Sequence, residues 1–169
     1  MNAIGSMIQR AKALRTALDN GAVARHVLRE HEEEILDEQR KQLFEGKASS
    51  GEDLRPYYSE DLQPAGYFRT PESAKRYAAW KGEINYPYKA HRNPDAPNLY
   101  ITGTFHSEIG VQFLPDIILI SHTTPFSQDV VAKYGVEQFG LMRERWAALM
   151  EKYKPEIFDE AINVFNNQN

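Results

Sequence analysis

The stretch Val111-Gln112-Phe113-Leu114-Pro115-Asp116-Ile117-Ile118-Leu119-Ile120 decides the fold class of this 169-residue chain. Pro115-Asp116 is a turn dipeptide, and apolar, strand-forming residues flank it on both sides. The pattern predicts two antiparallel strands joined by a tight turn. Because the second apolar run is uninterrupted, we expect both faces of the second strand to be buried.

Helical patterns precede this hairpin. A first helix is predicted over residues 2–19, with Asn20-Gly21 as a strong stop, and a second over residues 22–44, with Gly46 as its C′ residue. The two helices are expected to form an antiparallel or bent hairpin, or else to stack on neighbouring subunits. The second option is favoured by the narrow apolar stripe of the first helix, which consists of Ile4, Ile8, Ala11, Leu14 and Leu18.

Further helices are predicted in the middle and at the end of the chain. Thr70-Pro71 is a good helix start, so a helix is expected over residues 70–81. After a loop at 121–128, a short helix at 129–134 should stop at Gly135, and two closing helices should span 142–152 and 155–166. The predicted class is α+β: an N-terminal helical pair, a small antiparallel sheet and C-terminal helices, with a long irregular Tyr/Pro-rich middle. We expect a single domain over 1–169, divided into 1–46, 47–98 and 99–169.

The middle of the chain carries many aromatic rings in segments without regular patterns. Rigid amphipathic rings at loop positions are typical of interface anchors. The alternatives are a local lid over the sheet, or stacking of bases or sugars on the rings. We interpret residues 47–98 as an extended interface region whose candidate residues are Tyr57, Tyr58, Tyr67, Phe68, Tyr86 and Tyr88.

Composition narrows the possible roles. The net charge is −4 and no Lys/Arg cluster stands out, so direct sequence-specific binding of nucleic acid is not expected. The chain has no cysteine, which removes disulfides, thiolate catalysis and Cys-based zinc sites. It has no run of about 20 apolar residues that could span a membrane and no signal-peptide pattern at its start. A soluble protein made in the cytoplasm is expected.

Reactive centres are not predicted, so we expect no catalytic, metal or cofactor site. His31-Glu32 begins like a zinc-protease box, but Ile35 stands where the second histidine is needed. His106 and Ser107 would point apart on a strand, so they cannot readily act as base and nucleophile. The acids around Glu32–Glu34, Asp37 and Glu38 are expected to form a solvated helix face, which could also pair with a basic partner surface.

Three glycines mark joints between predicted elements: Gly46, Gly103 and Gly140. Gly103 lies between an approach segment and the apolar run, where the chain has to change direction. We therefore expect a positive φ there, or a close backbone contact that excludes a Cβ atom.

At these joints the chain resembles small virion-assembly proteins of tailed phages of gut Bacteroidetes, including crAss-like phages. The resemblance covers roughly residues 35–150. It rests on five segments, namely Gln42-Leu43-Phe44-Glu45-Gly46, Tyr58-Ser59, Phe68 to Lys81, Asn98 to His106 and Tyr134 to Leu141. The Thr102-Gly103 portion also looks like the Thr-Gly joint of neck and tail-completion proteins in other tailed phages. The Tyr/Pro-rich insert at 83–98 departs from those simpler neck proteins.

The resemblance implies a non-enzymatic structural virion protein, a head–tail connector or tail-completion subunit. Its partners would be identical copies in a ring, portal or adapter ring proteins, and tail proteins. It would reside in the neck or tail region of the virion, and in the host cytoplasm during assembly. The alternatives are a soluble protein-binding module of a mobile element and, third, a small hydrolase, which a convergent polar pocket around His106, Ser107 and His122 would favour.

Overall fold

The N-terminal region forms three helices: α1 (Ala3–Asp19), α2 (Ala22–Glu30) and α3 (Glu32–Phe44). The computed structural model describes residues 3–55, 70–84, 96–100, 103–122 and 127–167. The predicted stop at Asn20-Gly21 is confirmed, because Gly21 has φ 67°, in the left-handed region that glycine adopts without strain. α3 ends at a Schellman motif, in which Lys47 N–H donates to the carbonyl of Gln42 and Gly46, with φ 75°, is the C′ residue as predicted.

The prediction of one helix over 22–44 is wrong, because the chain breaks at His31 (φ −109°, ψ 26°). Its ring stacks on Tyr153, with centroids 3.8 Å apart, and its Nε2 lies 2.7 Å from Glu156. The three glutamates that follow His31 occupy the first turn of α3. Negative charge there complements the positive end of the helix dipole, which favours a new helix start at this point.

The hairpin is confirmed as β1 (Ile109–Phe113) and β2 (Ile118–His122), antiparallel, with Val111 opposite Ile120. The expectation that both faces of β2 are buried is wrong. Ile120 is 5% exposed, whereas Leu119 is 41% exposed. A two-stranded sheet can bury only the face that packs against helices, and here α3 lies against β1.

Short helices connect these larger elements. α4 (Pro71–Gly82) begins at Thr70-Pro71 as predicted, and Thr70 and Ser73 form a complete capping box there. α5 (Thr104–Ser107) precedes β1, so His106 and Ser107 lie on a helical turn and not on a strand. α6 (Ser127–Tyr134) begins two residues before its predicted start, and a 3₁₀ turn (Val136–Gln138) follows Gly135.

The chain closes with one continuous helix, α7 (Arg143–Asn166), which contains Pro155. The prediction of two separate helices is therefore wrong. Proline removes one backbone donor and crowds the preceding turn. Here Tyr153 is buried and Ile157 packs against the core, so tertiary contacts on both sides of Pro155 hold the helix together.

The hydrophobic core lies between α2, α3, the hairpin and α7. α3 contributes three apolar residues, and α7 contributes Leu149 and Tyr153. The α+β class is therefore as predicted, with a small antiparallel sheet and a C-terminal helix, although three helices stand in place of the N-terminal pair. The cluster consists of Val27, Leu28, Ile35, Leu36, Leu43, Ala48, Leu54, Ile109, Ile120, Leu141, Leu149 and Tyr153.

Candidate protein–protein interface

Two buried glutamines of α3 hold the segment that leads into α7. Gln39 Nε2 donates to the carbonyl of Gln138 at 2.9 Å, and its Oε1 accepts from Gly140 N–H at 2.9 Å. Gln42 Nε2 donates to the carbonyl of Gly140 at 2.9 Å, and its Oε1 accepts from Met142 N–H at 2.8 Å. Each side-chain amide therefore donates one hydrogen bond to the main chain and accepts one from it, as a neighbouring β-strand would. These bonds give partners to N–H and C=O groups of a segment that lies outside any sheet.

Gly46 brings a third segment to the same end of α3. A Cβ added at Gly46 would lie 2.5 Å from the Cβ of Ala96. A side chain is thus excluded by a close approach as well as by the positive φ. Because Ala96 directly precedes Pro97 and Asn98, this contact places the Asn98 segment beside the end of α3.

Asn98 is fully buried and connects α4 to α5. Its Oδ1 accepts from Lys81 Nζ at 2.6 Å and from Tyr100 N–H at 3.1 Å. Its carbonyl oxygen accepts from His106 Nε2 at 2.9 Å, which fixes the proton on that ring nitrogen. The carbonyl of His106 in turn accepts from Arg40 Nε at 3.1 Å, so the network returns to α3.

Burial lowers the pKa of His106 to about 4, against the opposing effect of its hydrogen bond to the Asn98 carbonyl. The ring is therefore neutral at physiological pH. A neutral ring that donates one hydrogen bond inside the protein suits a structural role in holding α5 against the Asn98 segment.

The three joint glycines all have positive φ: 75° at Gly46, 90° at Gly103 and 102° at Gly140. The expectation for Gly103 is thus confirmed. A Cβ there would lie 3.2 Å from the Tyr100 hydroxyl, which adds crowding to backbone strain. Gly103 precedes α5, so the change of direction occurs at the start of a helical turn. Thr102 lies outside the described residues.

The polar residues considered for catalysis do not converge. His106 is bound to the Asn98 carbonyl, Ser107 Oγ donates to the carbonyl of Thr104 at 2.9 Å, and His122 Nε2 donates to the carbonyl of Phe105 at 2.8 Å. Each of these three side chains thus donates its hydrogen bond to a different main-chain carbonyl oxygen. Across the part of the chain that the structure describes, no group of three or more His, Asp or Glu side chains could hold a metal ion.

The acids of α3 are not uniformly solvated, so that prediction is partly wrong. Hydrogen bonds from Lys152 and Tyr153 lower the pKa of Glu34. Burial opposes the charge on Glu38, but hydrogen bonds from Lys41 and Arg145 outweigh it, and the pKa of Glu38 is also lowered. Both carboxylates therefore bind α7 of the same chain. Glu32 and Glu33 remain on the exposed face.

Apolar side chains are exposed along α1. Ile4 is 70% exposed, and Met7, Ile8 and Leu18 are about half exposed or more. The other side of the helix, with Arg10, Ala13, Leu14 and Ala17 half-buried, faces α2 and α7. The predicted stripe thus points mainly to solvent, which agrees with the option that α1 stacks on a neighbouring subunit. We call the set Ile4, Met7, Ile8, Ala11 and Leu18 the α1 stripe.

A second exposed apolar set lies on the last turns of α7. Phe158 is 66% exposed, and Ile162, one turn later, is 43% exposed. The hairpin tip contributes a third, with Leu114 and Ile117. Exposed patches of this kind on a small protein mark interaction sites more often than isolated apolar residues do.

Sequence reasoning found some of these residues and missed others. Met7 was not singled out, although it extends the helical spacing of the predicted stripe. Phe158 was expected on the apolar face of a closing helix, and it is exposed. Gln39 gave no signal of its own, and Asn98 stood out only as the first residue of a resemblance segment, because a buried amide is recognised only by its partners. The predicted interface residues all lie outside the described residues: Tyr57, Tyr58, Tyr67, Phe68, Tyr86 and Tyr88.

No helix within the described ranges combines the length and apolar character needed to cross a membrane. Comparison with models of known protein families, with curated proteins and with solved structures gave no match.

Proposed function

We propose that this chain is a structural subunit of a tailed-phage virion, a head–tail connector or tail-completion protein that acts through protein–protein interfaces. It would assemble with identical copies into a ring and contact portal or adapter ring proteins on one side and tail proteins on the other. The exposed α1 stripe is the observation that carries this proposal, since a structural subunit needs apolar surface left over after its own core is built.

The internal arrangement of the motifs gives further support. Segments that carry the resemblance to phage assembly proteins contact one another, since Gln42 binds Gly140 and Asn98 binds Lys81. Ala96, which lies in the insert outside those segments, packs on Gly46. The motif residues therefore build one framework around the end of α3. Such a framework would keep the exposed faces at fixed positions relative to each other, as a ring subunit requires.

The proposal is tested in the phage that encodes the chain. A null mutant should produce full heads without stable tails, and wild-type protein supplied in trans should restore infectivity. Purified wild-type virions should contain the protein in a fixed number of copies, located at the neck by electron microscopy of tagged particles. Absence from purified virions would contradict the proposal and favour a binding module of a mobile element, which acts in the cell.

A substitution on the exposed side of α1 distinguishes an effect on assembly from an effect on folding. Ile8→Asp places a charge on the α1 stripe and should abolish tail attachment while the circular dichroism spectrum and thermal unfolding stay unchanged. The matched control is Gln128→Asp, an exposed position on α6, which should leave infectivity intact. If both variants support normal infection, the α1 stripe has no role in assembly.

A further inference from the structure

A lysine and an asparagine meet inside the protein, where the end of α4 contacts the Asn98 segment. Lys81 is 1% exposed and Asn98 is fully buried. Lysine is almost never buried to this extent unless it is paired, and here its Nζ lies 2.6 Å from Asn98 Oδ1. The structure therefore holds an amine and a carboxamide in direct contact and away from water.

This contact brings the amine nitrogen of Lys81 close to a carbon that it can attack. Cγ of Asn98 lies one C=O bond of about 1.23 Å beyond Oδ1, so Nζ is within about 4 Å of that carbon. Intramolecular reactions gain most when the reacting atoms are held about 3–3.5 Å apart. A small movement of Nζ from the oxygen to the face of the carboxamide is enough to begin the attack.

Burial and hydrogen bonding both favour such a reaction. Removal from water favours the neutral form of an amine, which is the nucleophilic form. Asn98 Oδ1 also accepts from the main-chain N–H of Tyr100 at 3.1 Å. This donor would stabilise the negative charge that develops on the oxygen during the attack, as the donors of an oxyanion hole do.

We propose that Lys81 and Asn98 join in an isopeptide bond within the folded chain. Nζ forms a bond to Cγ, one proton passes from Nζ to Nδ2, and the bond between Cγ and Nδ2 breaks to release ammonia. An amine and a primary carboxamide thus give a secondary amide and ammonia, and no oxidant or other reactant is needed. The modification goes beyond the proposed function and does not depend on it, since it requires only the folded chain.

The bond would close residues 81–98 into a covalent loop. The segment that packs beside Gly46 would then stay joined to α4 even where the surrounding contacts are broken. A covalent cross-link also restricts the unfolded chain, as a disulfide does, so it would raise the unfolding temperature.

Mass spectrometry of the purified wild-type protein tests the bond. The intact chain should weigh less than its sequence by one ammonia. Trypsin should fail to cut after the acylated Lys81 and should release a branched peptide that joins the Lys81 and Asn98 fragments. An unchanged mass after prolonged incubation of the folded protein would overturn the proposal. So would a loss of ammonia with normal cleavage after Lys81, because asparagine can lose ammonia without forming a cross-link.

Substitution of the lysine assigns the nucleophile. Lys81→Arg keeps a long cationic side chain, but a guanidinium stays charged and should give no branched peptide. The matched control is Lys75→Arg, since Lys75 is exposed on the same helix, and this variant should form the bond as the wild type does. A branched peptide at Asn98 in the Lys81→Arg variant would overturn the assignment.

Refolding gives a readout that needs no variant, because replacement of a buried lysine can also impair folding. Wild-type chain isolated in urea directly after synthesis should carry little cross-link, and ammonia should be lost progressively after dilution into buffer. Formation of the bond at the same rate in urea would show that the fold does not position the two groups, and would overturn the proposal. A native circular dichroism spectrum without any loss of ammonia would overturn it as well.

Discussion

Gln42 and Gly140, 98 residues apart in sequence, are joined by a hydrogen bond of 2.9 Å from the amide of the first to the carbonyl of the second. The same side chain accepts from Met142 N–H at 2.8 Å. One residue of α3 therefore satisfies two main-chain groups directly before α7 begins. This amide is therefore one of the contacts that set the position of the longest helix relative to α3.

Gln42→Ala should lower the free energy of unfolding by about 2–4 kcal/mol, because it removes two hydrogen bonds and leaves a partly buried carbonyl and N–H without these partners. Urea unfolding measures the change. The matched control is Gln128→Ala, an exposed helical glutamine, which should change stability by less than about 0.5 kcal/mol. Equal effects at the two positions would contradict the role of the Gln42 amide.

Gly103→Val should destabilise the protein by about 1–3 kcal/mol through backbone strain, and further through contact with the Tyr100 ring. Gly51 separates the two causes, since its φ is 88° and a Cβ there would meet open space. Gly51→Val should therefore show the strain alone. In the phage, complementation with Gly103→Val should give full heads without stable tails, and normal infectious yield would count against Gly103 as a joint.

The stability of the protein should fall as the pH decreases from about 6.5 to 4. The pKa of His106 is about 4 in the folded chain and 6.5 as its ordinary value. In this window the unfolded chain binds a proton that the folded chain excludes, so stability is present above it and declines by about 2–3 kcal/mol across it. Urea unfolding at pH 7 and 4.5 measures the loss. His106→Gln keeps an N–H donor without titrating there, and an unchanged pH dependence in that variant would assign the loss to other groups.

Pro155→Ala should raise the free energy of unfolding by about 1–3 kcal/mol, since alanine restores a backbone donor within α7 and removes the clash with the preceding turn. Thermal unfolding measures the gain. Pro71→Ala is the control: Pro71 begins α4, where its ring fits and no donor is lost. A stabilising effect of equal size at Pro71 would contradict this explanation.

Short sequence patterns predicted the helix boundaries and the turn that neighbouring residues alone determine. Thr70-Pro71 began a helix, Asn20-Gly21 ended one, and Pro115-Asp116 turned the hairpin. The wrong predictions concern elements whose length or burial is determined by contacts with residues far away in the sequence. α7 continues through Pro155 because Tyr153 and Ile157 are held by the core, and β2 exposes Leu119 because the sheet has only two strands. The acids after His31 were a usable signal for a new helix start.

The candidate interface was predictable in part. The stripe on α1 follows from its spacing, but whether it faces inward or outward depends on which side α2 and α7 cover. The joints at Gly46, Gly103 and Gly140 were located from sequence, whereas their connection through Gln39, Gln42 and Asn98 was not. These side-chain amides form hydrogen bonds with main-chain groups far away in the sequence, and no local sequence pattern predicts such bonds.

The interruption of the N-terminal helices at His31 and the proline of α7 lie at the same level of the molecule, because His31 Nε2 contacts Glu156, the residue after Pro155. Pro155 has no N–H to offer the carbonyl of Glu151, and the helical bonding between α2 and α3 is already broken. The ring stack of His31 on Tyr153 and its contact with Glu156 span both interruptions. At this level, side-chain contacts therefore fasten the two helical segments to each other where main-chain hydrogen bonds are missing.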